Sequence, residues 1–224
     1  MNIASRLNEL RNGLPEGVRI VAVSKFHDVS TIWDAYNAGQ RLFGESRVQE
    51  LLPKYESLPK DIQWHFVGHL QVNKVKYIAS FIATIQSADS LKLLEELNRQ
   101  AQKNNRCIRV LLQIHIALEE QKYGFSFDEV EELLNADLQK RLSYLRFSGL
   151  MGMATFTDDM EEIRREFAGL SAFFAKLKMR YFAGDNDFKE LSMGMSDDYP
   201  LAIEAGSTLI RIGTKLFGDR NYPD

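Results

Sequence analysis

The chain has 224 residues, 45% of them hydrophobic, which is enough to core one large α/β domain. Its formal net charge is −3, so no global basic field points to nucleic acid. Cys107 is the only cysteine, which excludes an internal disulfide and fits a reducing compartment. No apolar run reaches the ~20 residues of a membrane helix, and the charged start MNIASRLNELRNGLPEG lacks a signal peptide's apolar stretch. A cytoplasmic protein that engages no membrane is the expectation.

Strand and helix patterns alternate along the chain. Residues 2–12 read as a helix with Ile3, Leu7 and Leu10 on one face. Residues 18–24, VRIVAVS, read as a strand ending at Lys25, and 30–38 as a helix closed by Gly39. A short strand at 41–44 precedes helical periodicity at 47–57. The strand at 62–67 ends in Gly68, and a helix over 71–78 carries Asn73 and Lys74 near its start. The strand at 81–86 leads to a helix over 90–103, capped by Ser90 and striped with Leu91, Leu94 and Leu97. Residues 108–116 form a long apolar strand, and Ser126 with Glu129 reads as a capping box opening a helix to Leu138. A strand at 144–149 and the longest helix, 158–179, follow; residues 191–211 complete the set.

That order gives about eight strand-then-helix units after one leading helix. Continuous apolar strands separated by helices imply a parallel sheet covered on both sides. The count predicts a single (β/α)8 TIM barrel of the α/β class, with a doubly wound open sheet as the alternative. No composition shift marks a linker, so residues 1–224 read as one domain.

The stretch LSMGMSDDYPLAIEAGSTLIRIGTKLFGDR, residues 191–220, contains two successive turns from strand end to helix start. Ser196 reads as an N-cap with Asp197 and Asp198 in the first turn, and Gly206 as the C′ glycine. Gly213 and Thr214 open the next helix after the strand that carries Arg211. Backbone N–H groups at two adjacent helix starts, with the hydroxyls of Ser196 and Thr214, suit a phosphate. Glycine at strand–helix turns is also ordinary packing chemistry. In a barrel these loops follow strands seven and eight, where phosphate sites are often built, and the first strand closes beside the eighth. Lys25 then sits at the mouth beside Arg211. Partial desolvation and a neighbouring cation disfavour the ammonium form. A neutral amine attacks an aldehyde to form a Schiff base, as pyridoxal 5′-phosphate (PLP) requires. For any single lysine a solvated strand end is the commoner case; its place beside the phosphate-like turns argues against that here.

VAVSK ending at Lys25, FGESRVQE at 43–50, WHFVGHLQVNK at 64–74, GLMGMATF at 149–156, LSMGMSDD at 191–198 and AGSTLIRIGTKLFG at 205–218 occur in order over nearly the whole chain. On these blocks the sequence resembles the YggS/PROSC family of pyridoxal phosphate homeostasis proteins. The resemblance implies the alanine racemase N-terminal barrel, a fold-type III PLP domain. It implies that Lys25 is the Schiff-base lysine, that Ser196 and the pair Gly213 and Thr214 hold the phosphate, and that Arg211 faces the pyridine nitrogen. An arginine there keeps that nitrogen unprotonated. Met193 and Met195 are placed near the cofactor. Asn73 is the best further candidate at the ring, Lys74 is a second amine near the mouth, and Glu45 is expected to orient a neighbouring side chain. His65 and Gln71 belong to the same signature.

The sequence departs from the family pattern at the rim. Ser46 stands where the family commonly has Asn, Phe26-His27-Asp28 replaces the usual basic and proline-bearing continuation, and Gln113-Ile114-His115 replaces an asparagine-containing segment. The related racemases add a β-domain that supplies a tyrosine base on the opposite face, whereas DRNYPD alone follows Gly218 here. Two-base racemisation needs an acceptor on each face of the carbanion. The expectation is therefore a carrier or regulator of PLP with little or no turnover, no catalytic residues and no metal, monomeric, with PLP-dependent apoenzymes as partners. The alternatives are a Schiff-base enzyme on the same barrel, an amino-acid racemase or a phosphosugar aldolase type, and a non-catalytic interaction module.

Overall fold

A computed structural model describes residues 1–119 and 123–218. The leading helix α1 spans Ile3–Asn12, capped by the Asn2 side chain accepting from the Ser5 N–H at 2.8 Å. Strands β1 (Arg19–Val23), β2 (Leu42–Glu45), β3 (Gln63–Phe66), β4 (Thr84–Ala88), β5 (Ile108–Ile114), β6 (Leu145–Gly152), β7 (Glu190–Ser192) and β8 (Leu209–Ile212) form a closed barrel in chain order. All neighbours run parallel, and β1 closes on β8 with Ala22 opposite Ile212. The helices between them are α2 (Val29–Asn37), α3 (Val48–Ser57), α4 (Val75–Ile78), α5 (Leu91–Lys103), α6 (Phe127–Asn135), α7 (Leu138–Arg141), α8 (Met160–Tyr181) and α9 (Tyr199–Glu204), and α10 (Thr214–Phe217) follows β8. The expected barrel is thus the observed one.

Side-chain alternation divides the core in two. Outward residues such as Ile20, Ala22, Phe43, Trp64, Phe66, Ile85, Val110 and Ile210 pack beneath the helices. Inward, Val21, Leu111, Met151 and Leu209 form a separate plug. Two residues further along the chain stand Val23, Met153 and Arg211, which line the mouth above that plug. Register is adjusted at β6, where Val110 pairs with Phe147 but Leu111 with Gly149. Gly149 has φ +148, and a Cβ there would stand 1.7 Å from the Glu190 carbonyl oxygen, so only glycine lets β7 approach.

Several local expectations shift. The strand expected at 81–86 is β4 at Thr84–Ala88, because the N–H groups of Phe81 and Ile82 turn back to the Ile78 carbonyl. The helix expected over 71–78 begins as a 3₁₀ turn, Val72–Lys74, before α4. The helix expected over 126–138 keeps its capping box but splits into α6 and α7, with Asp137 at φ 54 between them. In α5, Ser90 caps as expected; Leu93, Leu94 and Leu97 are buried, whereas Leu91 is only partly so. Ser196 does not cap α9. Pro200 at its second position helps fix the start at Tyr199, so Asp198 takes the cap position, without a side-chain cap bond. The Asp198 carboxylate accepts instead from the Met195 N–H at 2.5 Å. Gly206 follows α9 with φ +94, as a C′ glycine should.

Candidate functional site

Strand ends and the loops after them build a cavity of about 250 Å³ at the C-terminal mouth of the barrel. Its lining includes Lys25 and His27 after β1, Ser46 after β2, Met153 and Phe156 after β6, Met195 and Ser196 after β7, and Arg211, Gly213 and Thr214 at the end of β8. Six of the seven cofactor residues expected from sequence therefore meet in one place. Asn73, the seventh, does not line it. The 3₁₀ turn leaves Asn73 exposed, while Gln71 and Lys74 line a neighbouring cleft that shares only Ser46 with this cavity. Met193 is fully buried in the outer core rather than in the lining. His115 is tied down by its own loop, its Nε2 lying 2.9 Å from the Glu119 carbonyl.

Arg211 is 5% exposed and reaches into the cavity from the barrel interior. Its Nη1 donates to the Ser192 carbonyl and hydroxyl at 2.9 and 2.7 Å, and its Nη2 to the Gly152 carbonyl at 2.9 Å. The Ser192 hydroxyl donates to Gln86 Oε1 at 2.7 Å, and Gln86 Nε2 lies 2.8 Å from His65 Nδ1. With Gln86 Oε1 already accepting, its amide donates to His65, so every bond in this buried chain runs one way. Burial lowers the Arg211 guanidinium to about 10, so it stays charged at neutral pH. Burial first, then the charges of Arg19 and Arg109, pushes His65 down to about 3, which leaves a neutral ring as the acceptor.

The phosphate-like turns are present in detail. Gly194 has φ +88, and a Cβ there would stand 2.6 Å from the Ala202 Cβ, so glycine lets α9 fold against the end of β7. The Ser196 hydroxyl accepts from the Lys215 N–H at 3.4 Å, which ties the turn after β7 to the first turn of α10. That helix start leaves N–H groups without intrahelical partners, beside the hydroxyls of Ser196 and Thr214. An amine, a buried guanidinium and this set of donors fit the aldehyde, ring nitrogen and phosphate of PLP.

A residue outside every sequence motif also shapes the rim. Glu166 of α8 is buried and accepts from the Thr155 N–H and hydroxyl at 2.7 and 2.5 Å, fixing the loop that carries Phe156. Phe156 is 93% exposed at the cavity edge. Lys54 was also missed, although the spacing of Val48, Leu51 and Lys54 places it on the buried face of α3.

The sequence profile of the family "Alanine racemase, N-terminal domain" matches residues 1–221. A pyridoxal phosphate homeostasis protein of Haemophilus influenzae is 40% identical over 92% of this chain and 86% of its own length. One from Aquifex aeolicus is 38% identical over 91% and 88%. Among solved structures, PipY of Synechococcus elongatus with PLP bound superposes at a TM-score of 0.87, with 38% identity over 97% of this chain and all of PipY. Alanine racemase of Clostridium difficile shares the fold at a TM-score of 0.79, with 17% identity over all of this chain and 57% of its own. The chain belongs to the alanine racemase N-terminal domain family and, within it, to the pyridoxal phosphate homeostasis proteins.

Proposed function

We propose that this protein binds PLP covalently through the Lys25 amine and acts in PLP homeostasis as a carrier with little or no turnover. The observation that carries the reading is the convergence of Lys25, Arg211, Ser196, Gly213 and Thr214 on one cavity. PipY, at 38% identity, is a structure with PLP bound, and the relatives from Haemophilus influenzae and Aquifex aeolicus are named for homeostasis rather than for racemisation.

Bound there, PLP supplies an aldehyde, an electron-accepting ring and a phosphate. Lys25 is half-buried just after β1 and lines the cavity, where its amine would engage the aldehyde. Arg211 presents a fixed positive charge, beside which protonation of a facing ring nitrogen is unfavourable. Electron withdrawal by the ring is thereby kept weak, which suits holding the cofactor over carbanion chemistry. Ser196, Gly213, Thr214 and the α10 N–H groups hold the phosphate. Asn73 is exposed and is not among the residues lining the cavity, so the reading gives it no part in holding the bound cofactor.

The same reading makes the protein a cytoplasmic monomer that hands PLP to apoenzymes. In keeping with it, no helix among the described residues is long and apolar enough to cross a membrane. The test is an absorbance titration of purified protein with PLP, repeated with Lys25→Ala, alongside an assay of amino-acid racemisation. Covalent uptake in the wild type alone, without robust turnover, is the expected result. Racemisation abolished by Lys25→Ala would overturn the carrier reading in favour of an enzyme.

A further inference from the structure

Lys25 sits between two anchored residues. Ser24 has its N–H on the Gly44 carbonyl at 2.9 Å and its hydroxyl on Glu45 Oε1 at 2.6 Å. Its carbonyl accepts from Lys54 Nζ at 2.8 Å and from the His27 N–H at 3.1 Å. On the other side, Phe26 has φ 66, a region that aromatic residues seldom enter. Its N–H donates to Glu50 Oε2 at 2.8 Å. Lys54 joins the two anchors. Its ammonium lies 2.7 Å from Glu45 Oε1 and 3.7 Å from Glu50 Oε2, and both Lys54 and Glu45 are buried.

A buried ion pair is a poor device for stability alone, because well-packed apolar side chains of similar volume usually do as well or better. This pair also leaves Glu45 Oε2 buried with no hydrogen-bond partner. What the arrangement does fix is the backbone on both sides of the residue that must meet the aldehyde. We propose that Lys54, with Glu45 and Glu50, positions Lys25 for PLP, and that α3 thereby sets how readily the covalent link forms. The inference rests on the PLP-binding reading and adds its positioning residues. The link forms as the Lys25 amine adds to the aldehyde carbon and one water leaves, so no further reactant is needed.

The test separates attachment from general binding by using two ligands. PLP engages Lys25. Pyridoxine 5′-phosphate, its 4′-alcohol analogue, offers the same ring and phosphate but no aldehyde. Glu50 is partly exposed on a helix surface, so Glu50→Ala should fold. We expect its PLP affinity and its rate of covalent uptake to fall by about tenfold, as for the loss of one charge-assisted hydrogen bond. Affinity for the alcohol should stay within about twofold of wild type, well below that step. Glu50→Gln, which keeps an acceptor for Phe26, should restore most of the loss. The double variant Lys54→Met/Glu45→Leu removes both buried charges together, and should fold and show the same split between ligands. A folded Glu50→Ala protein with unchanged PLP uptake, or with equal losses for both ligands, would overturn the inference. Wild-type protein that takes the alcohol but never captures PLP on Lys25 would overturn the underlying reading and this inference with it.

Discussion

Two buried polar networks flank the site, and they are built on opposite plans. Inside the barrel, Arg211 is a buried cation whose hydrogen bonds run to a hydroxyl and to carbonyls. Outside the barrel wall, Lys54 is a buried cation paired directly with Glu45. The difference follows from what each charge faces. A cation meant to act on a ligand keeps its field when propped by dipoles, whereas a carboxylate beside it would cancel that field. A cation meant to hold backbone is better paired, since an unpaired buried charge is costly.

The largest effect is expected at Lys54. Lys54→Met leaves Glu45 buried without its partner and should cost about 3–5 kcal/mol in urea unfolding. Adding Glu45→Leu should recover most of that loss; a double variant as unstable as the single would mean that packing, not charge, dominates. The interior chain should be more forgiving, because its links are mostly neutral. Gln86→Leu takes the acceptor from the Ser192 hydroxyl, which keeps its bond from Arg211, and the donor from the His65 ring, and we expect a loss of about 2 kcal/mol. A loss as large as that of Lys54→Met would erase the distinction.

Acid sharpens the contrast. His65 titrates near 3 when folded, against 6.5 as its ordinary value, so the unfolded chain binds a proton there that the fold refuses. Its contribution to stability is complete above pH 6.5 and is lost as pH falls toward 3, at up to about 1.4 kcal/mol per unit. His65→Leu should flatten that part of the stability curve, and an unchanged slope would show that His65 is not held neutral. The smallest effect is expected at the rim. Phe156 is almost wholly exposed, so Phe156→Ser should change the unfolding free energy by less than about 0.5 kcal/mol.

Most of this architecture is legible in the sequence because its signals are local. Ser90 and the Ser126–Glu129 box cap the helices they were expected to cap, and the strand runs order the barrel. Lys25 and Arg211 could be placed at one mouth because a closed parallel barrel puts the first strand beside the eighth. What was not legible depends on contacts between distant elements. Ser196 reads as a cap by residue type, yet its hydroxyl serves α10, and no local pattern encodes that. Asn73 reads as a site residue by motif, but its turn is 3₁₀ and leaves it outside the cavity. The bulge at Gly149 shows only as a glycine in an apolar strand, and the chain from Arg211 to His65 joins β8, β7, β4 and β3 across the barrel. Lys54 is the instructive miss, since charge argued for the surface while its spacing argued for the core.

The most direct measurement is to mix the protein with PLP, reduce with borohydride and map the modified peptide. The account predicts one modified residue, Lys25, with modification lost in Lys25→Ala. Label found on Lys74 or another lysine, with Lys25 unmodified, would contradict it.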